Sequence, residues 1–142
     1  LIERELNSYT ILRLSSPFGK GLRKNVVMNL FIEKALKQEP IVLEGSGERV
    51  QNFIYIKDVV YFLEAIIKQP KNGIYNLVSD TSISMKDLAE TIKNAVGEET
   101  VVKHNYNNPD VLVNNRFSNR KVKQAFNIKF NFSIIEAIKD YI

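Results

Sequence analysis

A chain of 142 residues with 20 Lys and Arg against 16 Asp and Glu, 44% hydrophobic and 25% charged residues, has the size and composition of one soluble globular domain around a single core. It has no cysteine, which excludes a disulfide framework and thiolate metal sites and fits a reducing, cytoplasmic compartment. No window reaches the roughly 18 consecutive apolar residues of a membrane span. Leu1-Ile2-Glu3-Arg4-Glu5 lacks the basic and apolar regions of a signal peptide and reads as the end of a helix cut from something larger.

The net charge of +4 is spread along the chain. Lys20, Arg23 and Lys24 form the densest cluster, with Arg120, Lys121 and Lys123 behind it. Such scattered cations read as solvated faces rather than the sharp stripe of a nucleic-acid surface, so neither nucleic acid nor membrane is expected as a partner. A small anionic ligand fits the balance.

Tyr9 to Leu14 is a short run with β-branched members, closed by Ser15-Ser16-Pro17 and Gly19, and predicts a buried strand of a parallel sheet. From Leu22 to Leu36 the apolar residues fall at helical spacing until Pro40 stops the pattern, predicting one long amphipathic helix. Ile41-Val42-Leu43, the turn Gly45-Ser46-Gly47 and the aromatic run through Tyr55 together predict a β-hairpin.

Val59, Phe62, Leu63, Ile66 and Ile67 then mark a helix face, with Asp58 placed to cap its N-terminus. Gln69 to Gly73 breaks that helix and Ile74 to Val78 predicts another strand. Ser84 with Asp87 opens a helix over Met85 to Val96 that Gly97 closes. Val101 to His104 predicts an edge strand. The asparagine-rich Asn105 to Asn115 reads as a long loop of the kind that often carries function. Ser118 or Asn119 caps a short helix, and Ser133 with Glu136 forms a capping box for the last one.

Read in order, LRLSSPFGKG, NVVMNLFIEKAL, PIVLEGSGERVQNFIYIKDVV and GIYNLVSDTSISMKDLAETI resemble the C-terminal half of the extended short-chain dehydrogenase/reductases, the NAD-dependent nucleotide-sugar epimerases, dehydratases and reductases. The similarity is strongest from Tyr9 to Ile92 and can be followed through FSNRKVKQAFNIKFNFSIIEAI. The resemblance implies an α/β fold: the C-terminal portion of an extended Rossmann-type enzyme, with a small mixed sheet, a β-hairpin and about five helices.

It further implies that the strands at 9–14 and 74–78 complete the sheet of a Rossmann half that precedes this chain. That half binds the dinucleotide at a Gly-rich turn and carries a Tyr-x-x-x-Lys pair; neither motif occurs here. Residues 1–142 are thus expected to be a substrate-binding fragment that holds a nucleoside-diphosphate sugar, depends on the missing half for NAD or NADP, and is inactive and without cofactor alone. A homodimer through exposed sheet edges is a further possibility.

The same resemblance distributes the site. Ser15, Ser16 and Pro17, at the C-terminal end of a parallel strand, are cofactor-binding candidates, with Ser16 also facing substrate where the family commonly has Asn; their other reading is a plain helix-entry loop. Asn25 and Val26 match the helix start that meets the substrate's phosphates or base. Gln51-Asn52 stands where the family has Arg-Asp, so the phosphate charge falls to Arg49 or Arg116, or the substrate differs. Gln51 donates a hydrogen bond but forms no bidentate ionic one.

Tyr55 faces either ligand or core. Gly45-Ser46-Gly47 lacks the setting and lysine of a phosphate loop and reads as a turn. His104, the one histidine, has no partner at metal-ligand or triad spacing, and no residue of the chain is assigned a catalytic or metal role. A non-catalytic binding or regulatory protein of the same fold is the rival reading, favoured by Ser16, Gln51 and Asn52.

Overall fold

A computed structural model of the chain describes residues 8–22, 26–97, 99–108 and 115–142. Its strands form three small sheets. Strands β1 (Thr10–Leu14) and β5 (Gly73–Leu77) pair in parallel with Ile11 opposite Ile74. Strand β4 (Val50–Tyr55) lies between β2 (Ser16–Phe18), parallel to it, and β6 (Ser82–Ser84), antiparallel. Strands β3 (Ile41–Glu44) and β7 (Val102–Asn105) form the third, parallel pair. Five helices pack on them: α1 (Val27–Leu36), α2 (Ile56–Lys68), α3 (Met85–Val96), α4 (Arg120–Phe126) and α5 (Ile134–Tyr141).

Strand β4 organises the interior because side chains alternate across a strand. Phe53 and Tyr55 enter one cluster, with Phe31 and Ile32 of α1, Leu88 and Ile92 of α3 and Ile138 of α5. Ile54 enters a second, with Val59, Phe62 and Ile66 of α2, Tyr75 and Leu77 of β5, and Val122 and Phe126 of α4. Burial on both faces is why Phe53-Ile54-Tyr55-Ile56 is continuously apolar. The single expected core is thus two, one on each side of β4.

The helix signals at the caps translate directly. Ser84 Oγ accepts the Asp87 N–H at 3.0 Å at the start of α3, and Ser133 and Glu136 form the reciprocal box that opens α5. Two caps differ. Of the two candidates before α4, Ser118 Oγ accepts the Arg120 N–H at 3.4 Å, while the Asn119 amide donates instead to the Val78 carbonyl at 3.0 Å and to Asp80 Oδ1 at 2.8 Å. Helix α2 begins at Ile56, so Asp58 lies inside the first turn rather than at the cap. It is 1% exposed, and its carboxylate accepts the backbone N–H groups of Asn131, at 2.8 Å, and Phe132. Burial raises its pKa while those bonds oppose the rise: this acid clamps a distant segment instead of capping its own helix.

The predicted hairpin does not form. β3 pairs with β7 and β4 with β2 and β6. The turn at 45–47 sends the chain onto α3: the Gly47 carbonyl takes the Lys86 N–H and the Arg49 carbonyl the Met85 N–H, each at 3.0 Å. Two backbone donors of the first helical turn are satisfied in this way, and Gly47, at φ 77°, packs against Leu43 and Lys86. The long helix expected from Leu22 is α1 alone, starting at Val27; Leu22 lies in a turn with its N–H on the Gly19 carbonyl. Strand β1 is only partly buried, Leu14 being 45% exposed, because β5 is its one neighbour among the described residues.

Gly19 is where β2 crosses the start of α2. A Cβ there would overlap Ile56 Cγ2 and come within 3.1 Å of Ile56 Cβ, on a backbone with φ 151° that L side chains rarely adopt. Gly19→Ala is therefore expected to destabilise the fold by about 1–3 kcal/mol, read as a lower urea midpoint at unchanged slope.

Candidate functional site

The parallel strands β1 and β2 bring their junction, Leu14-Ser15-Ser16, to the side of β4, and a polar cleft opens there. Leu14, Ser15, Ser16, Gln51, Asn52, Asn115 and Phe117 line about 260 Å³. A smaller cavity of about 220 Å³ shares Leu14, Ser15 and Phe117. The C-terminal ends of parallel strands are where open α/β sheets hold ligands. The Ser15 hydroxyl oxygen is buried there without a hydrogen-bond partner among the described residues, a costly arrangement unless a group from outside completes it.

Three side chains run across the cleft as a chain of hydrogen bonds. Arg49 Nη2 donates to Gln51 Oε1 at 2.6 Å, and Gln51 Nε2 donates to Ser16 Oγ. Arg49 immediately precedes β4, two residues from Gln51, and side chains two apart along an extended chain point to one side, which lets them meet. Arg49 also lines a larger, mainly apolar cavity of about 620 Å³ between α1 and β3, walled by Val27, Leu30, Phe31, Leu43 and Met85 and edged by Lys34, Glu44 and Asn108. Arg49 thus lines the apolar cavity while its hydrogen-bond partner Gln51 lines the polar cleft.

The other candidates fall in different places. Asn52 is 2% exposed with both ends of its amide bonded: Nδ2 donates to the carbonyls of Ser79 and Thr81 at 3.1 and 2.9 Å and Oδ1 accepts the Ser79 N–H at 3.1 Å. It pins the loop that follows β5. Pro17 is in β2 opposite Ile54, and Val26 is the residue before α1, with no side-chain cap. Arg116 is exposed on the segment that Asn115 ties to β4 and β6, through its N–H on the Val50 carbonyl and its carbonyl on Ser82 Oγ, both at 3.1 Å. Asn25 lies outside the described residues.

Tyr55 faces the core, 4% exposed between the rings of Phe18 and Phe132, with its hydroxyl donating to Asp140. Lys57 pairs with the same carboxylate at 2.7 Å, and Lys57 and Tyr55 together hold Asp140 below the usual carboxylate range. Burial first, and then the bond to Asp140, push the Tyr55 phenol well above its ordinary 10. A phenol kept neutral by folding adds stability that is present below the unfolded value and is lost as pH rises through the alkaline range toward the folded one. Wild type should lose stability between pH 9 and about pH 11 more steeply than Tyr55→Phe, measured by urea unfolding at the two pH values.

His104 Nδ1 lies 3.0 Å from the Gly45 carbonyl and its ring stacks on Tyr106; no group of metal-ligating side chains occurs among the described residues. Sequence reasoning passed over Asn115 and Phe117. The signal available for Phe117 was an aromatic beside Arg116 in an otherwise polar stretch, and the structure leaves it 52% exposed at the cleft.

The chain is thus a mixed α/β protein of five helices on three small sheets among the described residues, with a polar cleft at parallel strand ends. The chain resembles the UDP-glucose 4-epimerase of Thermotoga maritima, solved with UDP-glucose, with TM-score 0.86 at 21% identity over 97% of this chain and 46% of that one. It resembles the Thermus thermophilus UDP-glucose 4-epimerase, solved with NAD, with TM-score 0.80 at 17% identity over 94% and 45%. A model of the NAD dependent epimerase/dehydratase family matches residues 3–78, and the chain belongs to that family. In sequence it is 36% identical over 106 residues to the dTDP-4-dehydro-6-deoxyglucose reductase of Escherichia coli, covering 71% of this chain and 34% of that protein. It spans a third of that relative and under half of the two structures. No described helix is long and apolar enough to cross a membrane.

Proposed function

We propose that this chain is the part of an NAD(P)-dependent sugar epimerase, dehydratase or reductase that holds the nucleoside-diphosphate sugar. The observation that carries the reading is the Ser16–Gln51–Arg49 chain, which joins a polar cleft to an apolar one. An apolar cavity suits a nucleobase, a guanidinium suits a diphosphate, and the Ser16 end, with hydroxyl and amide groups, suits a sugar. Gln51 lies on that path, and Asn25, Val26 and Arg116 are added to it on sequence grounds alone. This half contributes orientation, which converts binding energy into rate when the reacting carbon is held against its hydride partner.

NAD or NADP, held by a preceding Rossmann half, supplies the hydride chemistry. The Ser15 hydroxyl, buried without a partner among the described residues, and the exposed Leu14 and Phe117 fit an approaching group from that half, with Ser15, Ser16 and Pro17 along its edge. The parallel β1–β5 pair then extends the Rossmann sheet. The chain alone is inactive by this reading, works in the cytoplasm in its whole form, and leaves apolar surface that a second copy covers if the preceding half does not.

Titration with UDP-glucose and a dTDP-sugar, followed by amide and side-chain NMR shifts, tests the reading. Changes centred on Ser16, Gln51 and Arg116 are expected. Unchanged spectra with every sugar would favour a non-catalytic protein of the same fold.

A further inference from the structure

We propose that the outer edge of β5 is a strand-pairing surface held shut by two side chains from the start of α4, Asn119 and Lys121, and that a second copy of this chain pairs there once they are removed. In a parallel pair, successive residues of one strand turn their backbone groups alternately toward the neighbour and away from it. The Gly73 N–H lies on the Tyr9 carbonyl at 3.1 Å and the Leu77 carbonyl takes the Ser15 N–H at 3.4 Å, so residues 73, 75 and 77 face β1. Ile74, Asn76 and Val78 therefore face outward.

Side chains take the outward carbonyls at both ends of that row. Lys121 Nζ donates to the Ile74 carbonyl at 2.9 Å, and Asn119 Nδ2 to the Val78 carbonyl at 3.0 Å. Both guards are themselves held. Asn119 also donates to Asp80 Oδ1 at 2.8 Å, the oxygen that pairs with Lys123 at 2.8 Å, and the Lys121 ammonium lies 4.8 Å from the centroid of the Tyr75 ring. Helix α4 is anchored beneath them by Val122 and Phe126, in one core with Tyr75 and Leu77, and Lys71, just ahead of β5, donates to the Ala125 carbonyl near its far end. A side chain that occupies an edge carbonyl offers no ladder of its own, so the sheet stops there, and lysine is a residue that sheets commonly use for this purpose.

The strand behind the guard is suited to self-association. Gly73-Ile74-Tyr75-Asn76-Leu77-Val78 carries neither charge nor proline, the composition of a segment that pairs with its own copy. An antiparallel pair of β5 strands about a two-fold axis presents the same edge from each copy and closes as a dimer.

The test is analytical ultracentrifugation of the 142-residue chain as wild type, as Asn119→Ser/Lys121→Met, and as the same double variant carrying Asn76→Pro. Serine keeps a capping hydroxyl ahead of α4 but is too short for the Val78 carbonyl, and methionine keeps an apolar stem over Tyr75 without the ammonium. Proline at 76 removes an N–H that faces away from β1 and blocks the outer ladder alone. At equal concentration the double variant should show about twice the wild-type mass, and Asn76→Pro should restore the wild-type value. A double variant with wild-type far-UV circular dichroism and wild-type mass would overturn the proposal. A raised mass that Asn76→Pro leaves unchanged would also overturn it, because the contact would then lie elsewhere. If the double variant loses helix signal, Lys121→Met alone, with and without Asn76→Pro, decides by the same outcomes.

Discussion

Phe62→Ala is expected to remove about 3–5 kcal/mol of folding stability, enough to take a domain of ordinary stability close to its unfolding limit. The ring is 0% exposed at the centre of the second core, edge-on to Phe130 with centroids 4.7 Å apart. It sits in one cluster with Ile54 of β4, Leu77 of β5 and Val122 of α4. Truncation removes the ring's transfer energy and leaves a cavity that two strands and two helices cannot close together, which is why the larger end of the range applies. Urea unfolding should give a much lower midpoint at unchanged slope, whereas Phe62→Leu, which keeps most of the volume, should recover over half of the loss.

Asn52→Ala should cost about 3 kcal/mol although the side chain is small. Its amide ties the Ser79 N–H and the carbonyls of Ser79 and Thr81 to β4, and Nδ2 also lies 3.3 Å from Ser82 Oγ. Alanine leaves several of those groups buried and unpaired. The same loop leads into Ser82 at the start of β6, whose hydroxyl holds Asn115 beside Arg116. Amide exchange should therefore quicken first across residues 79–82 and 115–117, and nucleotide-sugar affinity should fall with it, although Asn52 is 2% exposed and both ends of its amide are bonded to the loop. Asn52→Asp should be no better, since it retains the acceptor for Ser79 and loses every donor.

The parts of the fold that could be read from residues are those decided within one turn of chain. Ser84 and Asp87, Ser133 and Glu136, Gly97 after α3, and the helical spacing of Val59, Phe62 and Ile66 act over three to seven residues and are found as the pattern implies, whereas Leu63 and Ile67 of the same expected stripe are 40% and 77% exposed. What the pattern could not contain is partner choice across long separations. Ile41 pairs with Val102, Asp58 reaches Asn131 and Asn119 reaches Val78. Each of those groups has a local alternative, a hairpin or a cap, that the sequence makes equally available, and tertiary packing decides against it.

The site divides in the same way. Ser16, Arg49 and Gln51 could be singled out by resemblance, and Gln51 in the place of an arginine was visible as a departure. That the amide of Gln51 turns one face to Arg49 and the other to Ser16 depends on β2 lying against β4, which no local pattern encodes. Tyr55 and Asn52 show the converse. Both lie on the strand that carries the site, yet burial commits the first to the core and Asp140, and the second to the loop after β5.

The most direct measurement on the central claim, that this chain holds the substrate for a hydride-transferring half, is the sequence of the encoded residues preceding Leu1. Expected there are a Gly-rich dinucleotide fingerprint after a first strand and, nearer to Leu1, a Tyr-x-x-x-Lys. A preceding sequence with neither would contradict the claim.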